Sequence, residues 1–388
     1  MKIGIEAQRI FRKKKHGMDV VALEMIKELQ IIDKDNEYCI FIKPDEDNLC
    51  LKESSNLKIV EVEGKSYPYW EQRCLPKAAL KEKINILHCT SNTAPINCKI
   101  PLILTLHDII YLEQKSLIQK KGTLYQKFGN LYRKFIVPKI VNKCRKIITV
   151  SDFERNRIIN QLGLNESRVI TVYNGISKHF KPVTDKLLLN KVGLKYNLPE
   201  DFIFFLGNTD PKKNVAGTLK GYALYLKESG NNIPLVMLDY KKESLEKTLS
   251  EINETQIADK IILPGYVYNI DLPAIYSLSK IFLYPSLRES FGIPPLEAMA
   301  CGTPVLASNT SSIPEVTGDA AYMVNPFKPE EIASGIKTLL NDFLLREELI
   351  KRGFVRASLF SWLSTAESVL KIYNSLIDDI LKDEKLQQ

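Results

Sequence analysis

Apolar and polar positions along the chain fall into two alternating kinds of stretch. KIGIEA, YCIFIK, ILHCT, LILTLH, KIITVS and VITVYNG are short, rich in β-branched residues and mostly end in polar or glycine positions, which predicts strands. Between several of them run patterns of helical period, among them VVALEMIKELQ and LYQKFGNLYRKFIVPKIV. A polar, proline-bearing seam at SKHFKPVTDK interrupts the alternation. It restarts with DFIFFLGN, IPLVMLD, KIILPGYV, KIFLYPS, TPVLASN and AAYMVN. Such alternation predicts parallel sheets with helices on both faces. Two doubly wound α/β domains, 1–180 and 181–365, are the simplest account. Ligands of open α/β sheets sit beyond the carboxyl ends of the strands, so two facing sheets predict an interdomain cleft. The last stretch, TAESVLKIYNSLIDDILK, is amphipathic. Residues 366–388 are expected as a helix docking back on a domain, the first being the candidate.

Composition narrows the class. A chain of 388 residues is long enough for two real cores. MKIGIEAQRI turns polar too soon for a signal peptide, and no apolar run approaches the ~20 residues of a membrane span. Seven cysteines form no CxxC pair, and with four histidines no metal-ligand cluster is legible. Reduced thiols in a cytoplasmic protein, with no metal, are the expectation. Asp45 and Asp47 in PDED imitate a D-x-D metal site, but a fold built around such a site would not explain the second set of strands. Charge is uneven: residues 1–180 carry 31 Lys and Arg against 20 Asp and Glu, whereas the remainder carries 23 against 26. The basic first half suggests an anionic partner there. Nucleic acid is not the expected one.

The chemistry concentrates in RESFGIPPLEAMACGTPV, which places Glu289 and Glu297 eight positions apart around glycine and proline. KIFLYPS is the strand before it, Gly292 lets backbone approach a ligand closely, and a helix is expected to start near Pro294 or Pro295. A helix start with exposed N–H groups takes an anion. Ionised carboxylates only accept hydrogen bonds and suit vicinal hydroxyls. The combination fits a phosphorylated ligand with diols on either side, as in a nucleotide sugar; two solvated helix-start glutamates are the plain alternative.

The block PSLRESFGIPPLEAMACGTPVLASNTSSIPEV resembles the E-x7-E motif of the retaining glycosyltransferase family 4, and the layout of the whole chain is similar to that family. The resemblance implies a GT-B fold of two facing Rossmann-like domains. It implies that Glu289 holds donor-sugar hydroxyls and Glu297 the ribose diol, with the backbone of Phe291, Gly292 and Ile293 against sugar and diphosphate. FLGNTDPKKN resembles the family's strand-loop with P-[RK]-K-N, which gives Lys213, and with it Lys212, the leaving diphosphate. Where the family often has an arginine this chain has Gly207, Asn208 and Thr209, so Arg288 becomes the candidate for the second cation. LILTLHDII matches the stretch whose histidine contacts the donor sugar, here His107; a structural histidine is the alternative, and His88 is read as structural. FRKKKHGMDVV keeps one glycine, Gly17, of the family's usual two in the loop that meets diphosphate or acceptor. Ser151, Asn174 and Gly175 are landmarks of the cleft wall and seam without assigned chemistry.

Residues 115–146 hold ten Lys or Arg and no acid, with Leu124, Phe128, Leu131 and Phe135 at helical spacing. A core-facing stripe with a solvated basic side is one reading. The other is a patch for an acceptor or an anionic membrane surface. The resemblance implies a metal-independent, cofactor-free, retaining transfer of a hexose, mannose in the first instance. The donor would be a GDP- or UDP-sugar and the acceptor a glycan or lipid-linked species of surface polysaccharide assembly. That places the protein in the cytoplasm, with the inner membrane face as its peripheral site. Rivals are an epimerase or phosphorylase on the same fold, or a nucleotide-sugar-binding protein without turnover.

Overall fold

The protein is described by a computed structural model covering residues 1–112 and 124–386. It divides into two compact units, Met1–Gly175 with Trp362–Gln388, and Ile176–Ser361. The chain thus leaves the first unit after Gly175, five residues before the expected boundary at 180, and returns to it at Trp362.

The first unit is built on seven strands: β1 (Lys2–Glu6), β2 (Glu37–Ile42), β3 (Leu57–Glu61), β4 (Ile86–Cys89), β5 (Leu102–Thr105), β6 (Lys146–Thr149) and β7 (Val169–Thr171). Their order is β3-β2-β1-β4-β5-β6-β7 and every pairing is parallel. Ile3 and Ile5 of β1, and Ile86 and Leu87 of β4, are wholly buried. Parallel strands covered on both faces read as unbroken apolar runs for this reason. β3 was not among the expected strands. LKIVE carries charges at two of five positions because it lies at the sheet edge, half open to water.

The second unit has β8 (Ile203–Leu206), β9 (Leu235–Leu238), β10 (Ile261–Ile262), β11 (Ile281–Tyr284), β12 (Val305–Ser308) and β13 (Ala321–Val324). Their order is β10-β9-β8-β11-β12-β13, all parallel. All six expected strands of this half are present. Strand order reverses between β8 and its neighbour β11, and the carboxyl ends of strands at such a reversal are where open α/β sheets bind ligands. The loops leaving these two strands are PKKN and RESFG. On one face the helices Val215–Ser229 and Pro329–Asn341 pack closely. A Cβ at Gly221 would lie 2.6 Å from Ile332 Cγ2, so glycine sets that approach.

The C-terminal helix, Trp362–Leu386, belongs to the first unit's core: Ala366, Val369, Ile372, Tyr373 and Leu376 cluster with Ile3, Ile5 and Ile86. The Tyr373 hydroxyl is 2.6 Å from His88 Nδ1, whose Nε2 is 2.7 Å from Thr105 Oγ1. Burial holds His88 down at about 3, so it is a neutral structural imidazole.

Of the basic stretch 115–146, residues 115–123 lie outside the described residues, and so does the Leu124 side chain. The helix Leu124–Ile140 turns Ile136, Val137 and Ile140 into the core, while Phe128, Leu131 and Phe135 stand exposed at 63%, 65% and 58%. The core-facing reading of that stripe is therefore corrected. The core is already filled by the helix's other apolar face, with Tyr132 donating to Glu71 at 2.5 Å. No helix among the described residues is long and apolar enough to cross a membrane.

Candidate active site

β8 delivers the chain to Asp210, whose carboxylate accepts the Lys212 N–H at 3.1 Å and starts the short turn Pro211–Lys213. Asn214 follows in the left-handed region, and its Nδ2 donates to the Pro285 carbonyl at 3.0 Å and the Pro326 carbonyl at 2.7 Å. The asparagine of PKKN is thus a structural tie. A second tie, Leu287 N–H to the Lys212 carbonyl at 2.7 Å, fastens the β8 loop to the β11 loop.

These ties bring Lys213 and Glu289 together. Lys213 Nζ donates to Glu289 Oε1 at 2.7 Å and to the Tyr284 hydroxyl at 3.0 Å. Glu289 is 7% exposed, its N–H donates to Ser311 Oγ at 3.0 Å, and its carbonyl accepts from Ser312 Oγ at 3.0 Å. Burial pulls its carboxyl up, but the Lys213 and Lys212 charges and hydrogen bonds from Lys213 and Ser286 outweigh that and hold it below the ordinary range. Glu289 is ionised, and its charge is matched by Lys213.

Glu297, two turns away in sequence, lies in a different environment. Burial pushes its carboxyl up to about 7, opposed by a hydrogen bond from the Tyr276 hydroxyl at 3.3 Å. The helix carrying it, Ile293–Ala300, starts one residue earlier than expected, with Gly292 as N-cap at φ 100°. A Cβ on Gly292 would lie 2.6 Å from Ile313 Cδ1, so both conformation and space require glycine there. Because Pro294 and Pro295 have no N–H, the donors at this helix start reduce to Gly292 and Ile293, with Phe291 packed behind at 3% exposure.

Arg288 does not supply a second free cation. It is 8% exposed and its Nη1 donates to the Glu289 carbonyl at 2.9 Å, bracing the loop. Lys212 is the more open cation, its Nζ 3.8 Å from Asp210. At the expected arginine positions, Asn208 instead accepts the Asp210 N–H at 2.8 Å and shapes the turn.

His107 follows β5 in the first unit. Its N–H donates to Asn92 Oδ1 at 2.6 Å and its Nε2 lies 3.1 Å from the Thr90 carbonyl. A carbonyl only accepts, so Nε2 carries the proton and Nδ1 presents a lone pair. Burial holds the imidazole pKa down, against the Thr90 bond and Asp108, and keeps it neutral. Gly17 is the first residue of the helix Gly17–Ile32, and a Cβ there would meet nothing within 4 Å. Nothing inside the protein demands glycine at that position. Ser151 caps the helix Asp152–Leu162 by accepting the Glu154 N–H, and Asn174 is buried.

Three further residues carry polar geometry that the motifs did not reveal. Tyr284 sits between Lys213 and Glu289, Tyr276 meets Glu297, and Asp19 pairs with Arg9 at 3.2 Å near His107. The first two follow apolar runs and read as core aromatics. Only the capping of His16 N–H by Asp19, at 3.0 Å, leaves a trace in local sequence. In the PDED stretch Asp47 is paired with Lys15 and Glu46 with Lys13. Among the described residues no group of three His, Cys, Asp or Glu could hold a metal ion.

Comparison with known proteins bears on both units. The family model for glycosyl transferases group 1 matches residues 190–356, and that for Glycosyltransferase Family 4 matches 16–180. The chain is 33% identical over 237 residues to O-antigen chain mannosyltransferase B of Escherichia coli, covering 61% of this chain and 62% of that relative. It is 31% identical over 235 residues to the serotype-specific mannosyltransferase WbdA of Escherichia coli, covering 60% of this chain. The matched segment spans under two thirds of the first relative's length and 29% of the second's. Sucrose-phosphate synthase from Thermosynechococcus elongatus shares the fold with a TM-score of 0.73 at 18% identity, over 97% of this chain and 99% of that one.

Proposed function

The chain belongs to glycosyltransferase family 4 and has the GT-B fold, and from that premise we propose that it transfers a hexose, mannose in the first instance, from a nucleotide-diphosphate sugar with retention at the anomeric carbon. The observation that carries this reading is the Lys213–Glu289 pair, held at the strand-order reversal beside the Gly292 helix start. A diphosphate entering there meets the Lys213 ammonium, the Lys212 side chain and the N–H groups of Gly292 and Ile293. These groups stabilise charge as the phosphate departs. Glu289 accepts hydrogen bonds from sugar hydroxyls, and Glu297 from the ribose diol. His107 of the first unit is assigned a sugar-hydroxyl contact, with Nδ1 as acceptor, because a neutral imidazole whose other nitrogen is occupied suits that role. No carboxylate serves as nucleophile; positioning and charge stabilisation are the catalytic means. The two mannosyltransferase relatives support the choice of sugar, and O-antigen assembly in their printed names supports a surface glycan as product.

We assign the acceptor to the first unit, whose segment carries the excess positive charge, with Gly17 at the open start of its first helix. The exposed Phe128, Leu131 and Phe135 among lysines and arginines support peripheral contact with an anionic membrane on which a lipid-linked acceptor would lie.

The test is a thermal-shift series against GDP-mannose, UDP-glucose and their free diphosphates. One donor should raise the melting temperature of the unaltered protein and of Lys213→Ala, while Glu297→Ala weakens its binding roughly tenfold, as loss of charge-assisted hydrogen bonds does. Lys213→Ala should lower kcat roughly 10²–10³-fold. Unchanged turnover in both variants would overturn the assignment.

A further inference from the structure

Tyr284 is the last residue of β11 and is 1% exposed, its ring stacked on Phe282 with centroids 5.9 Å apart. A phenylalanine would fill that space equally well, as Phe282 and Phe204 do next to it. The hydroxyl therefore has a use other than packing. It lies at the carboxyl end of the strand, 3.0 Å from Lys213 Nζ, which also stands 4.8 Å above the ring centroid. Burial, with the neighbouring Glu289 charge, pushes the phenol well above the ordinary tyrosine range and keeps it protonated. The Lys213 ammonium thus bridges the Tyr284 hydroxyl and the Glu289 carboxylate.

The geometry points to Tyr284 as a positioning residue for the transfer step, aiming the Lys213 ammonium at the departing phosphate. An ammonium group has three N–H donors in tetrahedral array. Glu289 takes one and Tyr284 the second, so the direction of the third is fixed and left for a ligand. Without the phenol, one contact to Glu289 leaves the flexible lysine stem free to rotate about it. The phenol suits this work because it holds the ammonium by an oxygen without cancelling its charge. A second carboxylate in its place would neutralise the cation that the leaving group needs. Asp239, at the end of β9, also senses the Lys213 charge, and Lys212 lies on the same turn. Neither of them replaces the phenol oxygen at 3.0 Å.

This inference rests on the reading of Lys213 as the leaving-group cation, and the experiment separates the two. Tyr284→Phe, Lys213→Ala and the double variant are compared in the full chain by nucleotide release from whichever of GDP-mannose and UDP-glucose stabilises the unaltered protein. The expected result for Tyr284→Phe is a fall in kcat of about 10- to 100-fold with donor KM within about twofold and melting temperature within about 5 °C. The double variant should be no slower than Lys213→Ala alone, to within about twofold, because the hydroxyl acts through the lysine. Losses that multiply in the double variant, or a Tyr284→Phe protein with full kcat beside a damaged Lys213→Ala, would overturn the role of Tyr284 alone. A melting point more than about 5 °C lower would mark the hydroxyl as structural and overturn it too. Full turnover in Lys213→Ala would remove the underlying reading as well.

Discussion

Glu289 and Glu297 have the same side chain and opposite electrostatics, and the difference predicts a pH dependence. Glu289 is ionised against Lys213, whereas Glu297, with the Tyr276 hydroxyl as hydrogen-bond partner and no cation paired with it among the described residues, is held near 7 by burial. Receiving a ribose diol requires the Glu297 carboxylate, so binding should expel its proton and lower its pKa. Donor affinity should therefore rise with pH up to and through about 7 and level off above it. Below that point it should fall by up to tenfold per pH step. Titration calorimetry in buffers of different protonation enthalpy should register the released proton, and Glu297→Gln should flatten the curve. At this scale the sequence was legible where spacing marks a turn or a helix start, as at Pro211–Lys213 and at the Gly292 helix start between Glu289 and Glu297. It was silent where a residue's role comes from a neighbour distant in the chain. Tyr284 and Tyr276 read as core aromatics until the fold set them against Lys213 and Glu297, and Arg288 read as a free cation until its guanidinium turned to the Glu289 carbonyl.

Elements were legible in proportion to the purity of their pattern. The strands buried on both faces were unbroken apolar runs, while the edge strand β3, with its charges, was missed. At the end of β9, Asp239 takes φ 56°, a backbone state that glycine reaches freely and aspartate tolerates. The helix Leu124–Ile140 shows the limit of periodicity: it has two apolar faces, and only the core decided which was buried. Its outer face predicts an interaction. Full-length protein should cosediment with vesicles rich in anionic phospholipid and bind neutral vesicles weakly. The attraction should weaken with salt, at about 1 kcal/mol per basic side chain near the surface. Phe128→Glu, Leu131→Glu and Phe135→Glu together should abolish cosedimentation and leave the melting temperature nearly unchanged, since all three already face water. Retained vesicle binding in that variant would end the assignment of this face.

At the level of the whole molecule, the chain closes its first core with its last helix. Tyr373 packs with Ile3 and Ile5 and reaches His88, so residues at opposite ends of the sequence share one core. Tyr373→Phe should strand a buried imidazole nitrogen at a cost of about 1–3 kcal/mol. Calorimetry should show a melting temperature lower by about 2–4 °C for each kcal/mol lost. An unshifted transition would mean that the His88 contact adds nothing to the apolar packing around it.

Taken alone, the sequence determined the class of fold, the number of sheets, nearly all the strands and the position of the glutamate block, because burial on two faces and tight turns at glycine and proline impose local patterns on any chain. The tertiary structure decided the rest. It decided that Lys213 and Glu289, 76 positions apart, neutralise each other, that Arg288 is a brace, and that the outer stripe of the Leu124–Ile140 helix is exposed. The physical reason is that charge state, burial and hydrogen-bond partners depend on which surfaces meet, and that depends on long-range packing which no local window of sequence contains.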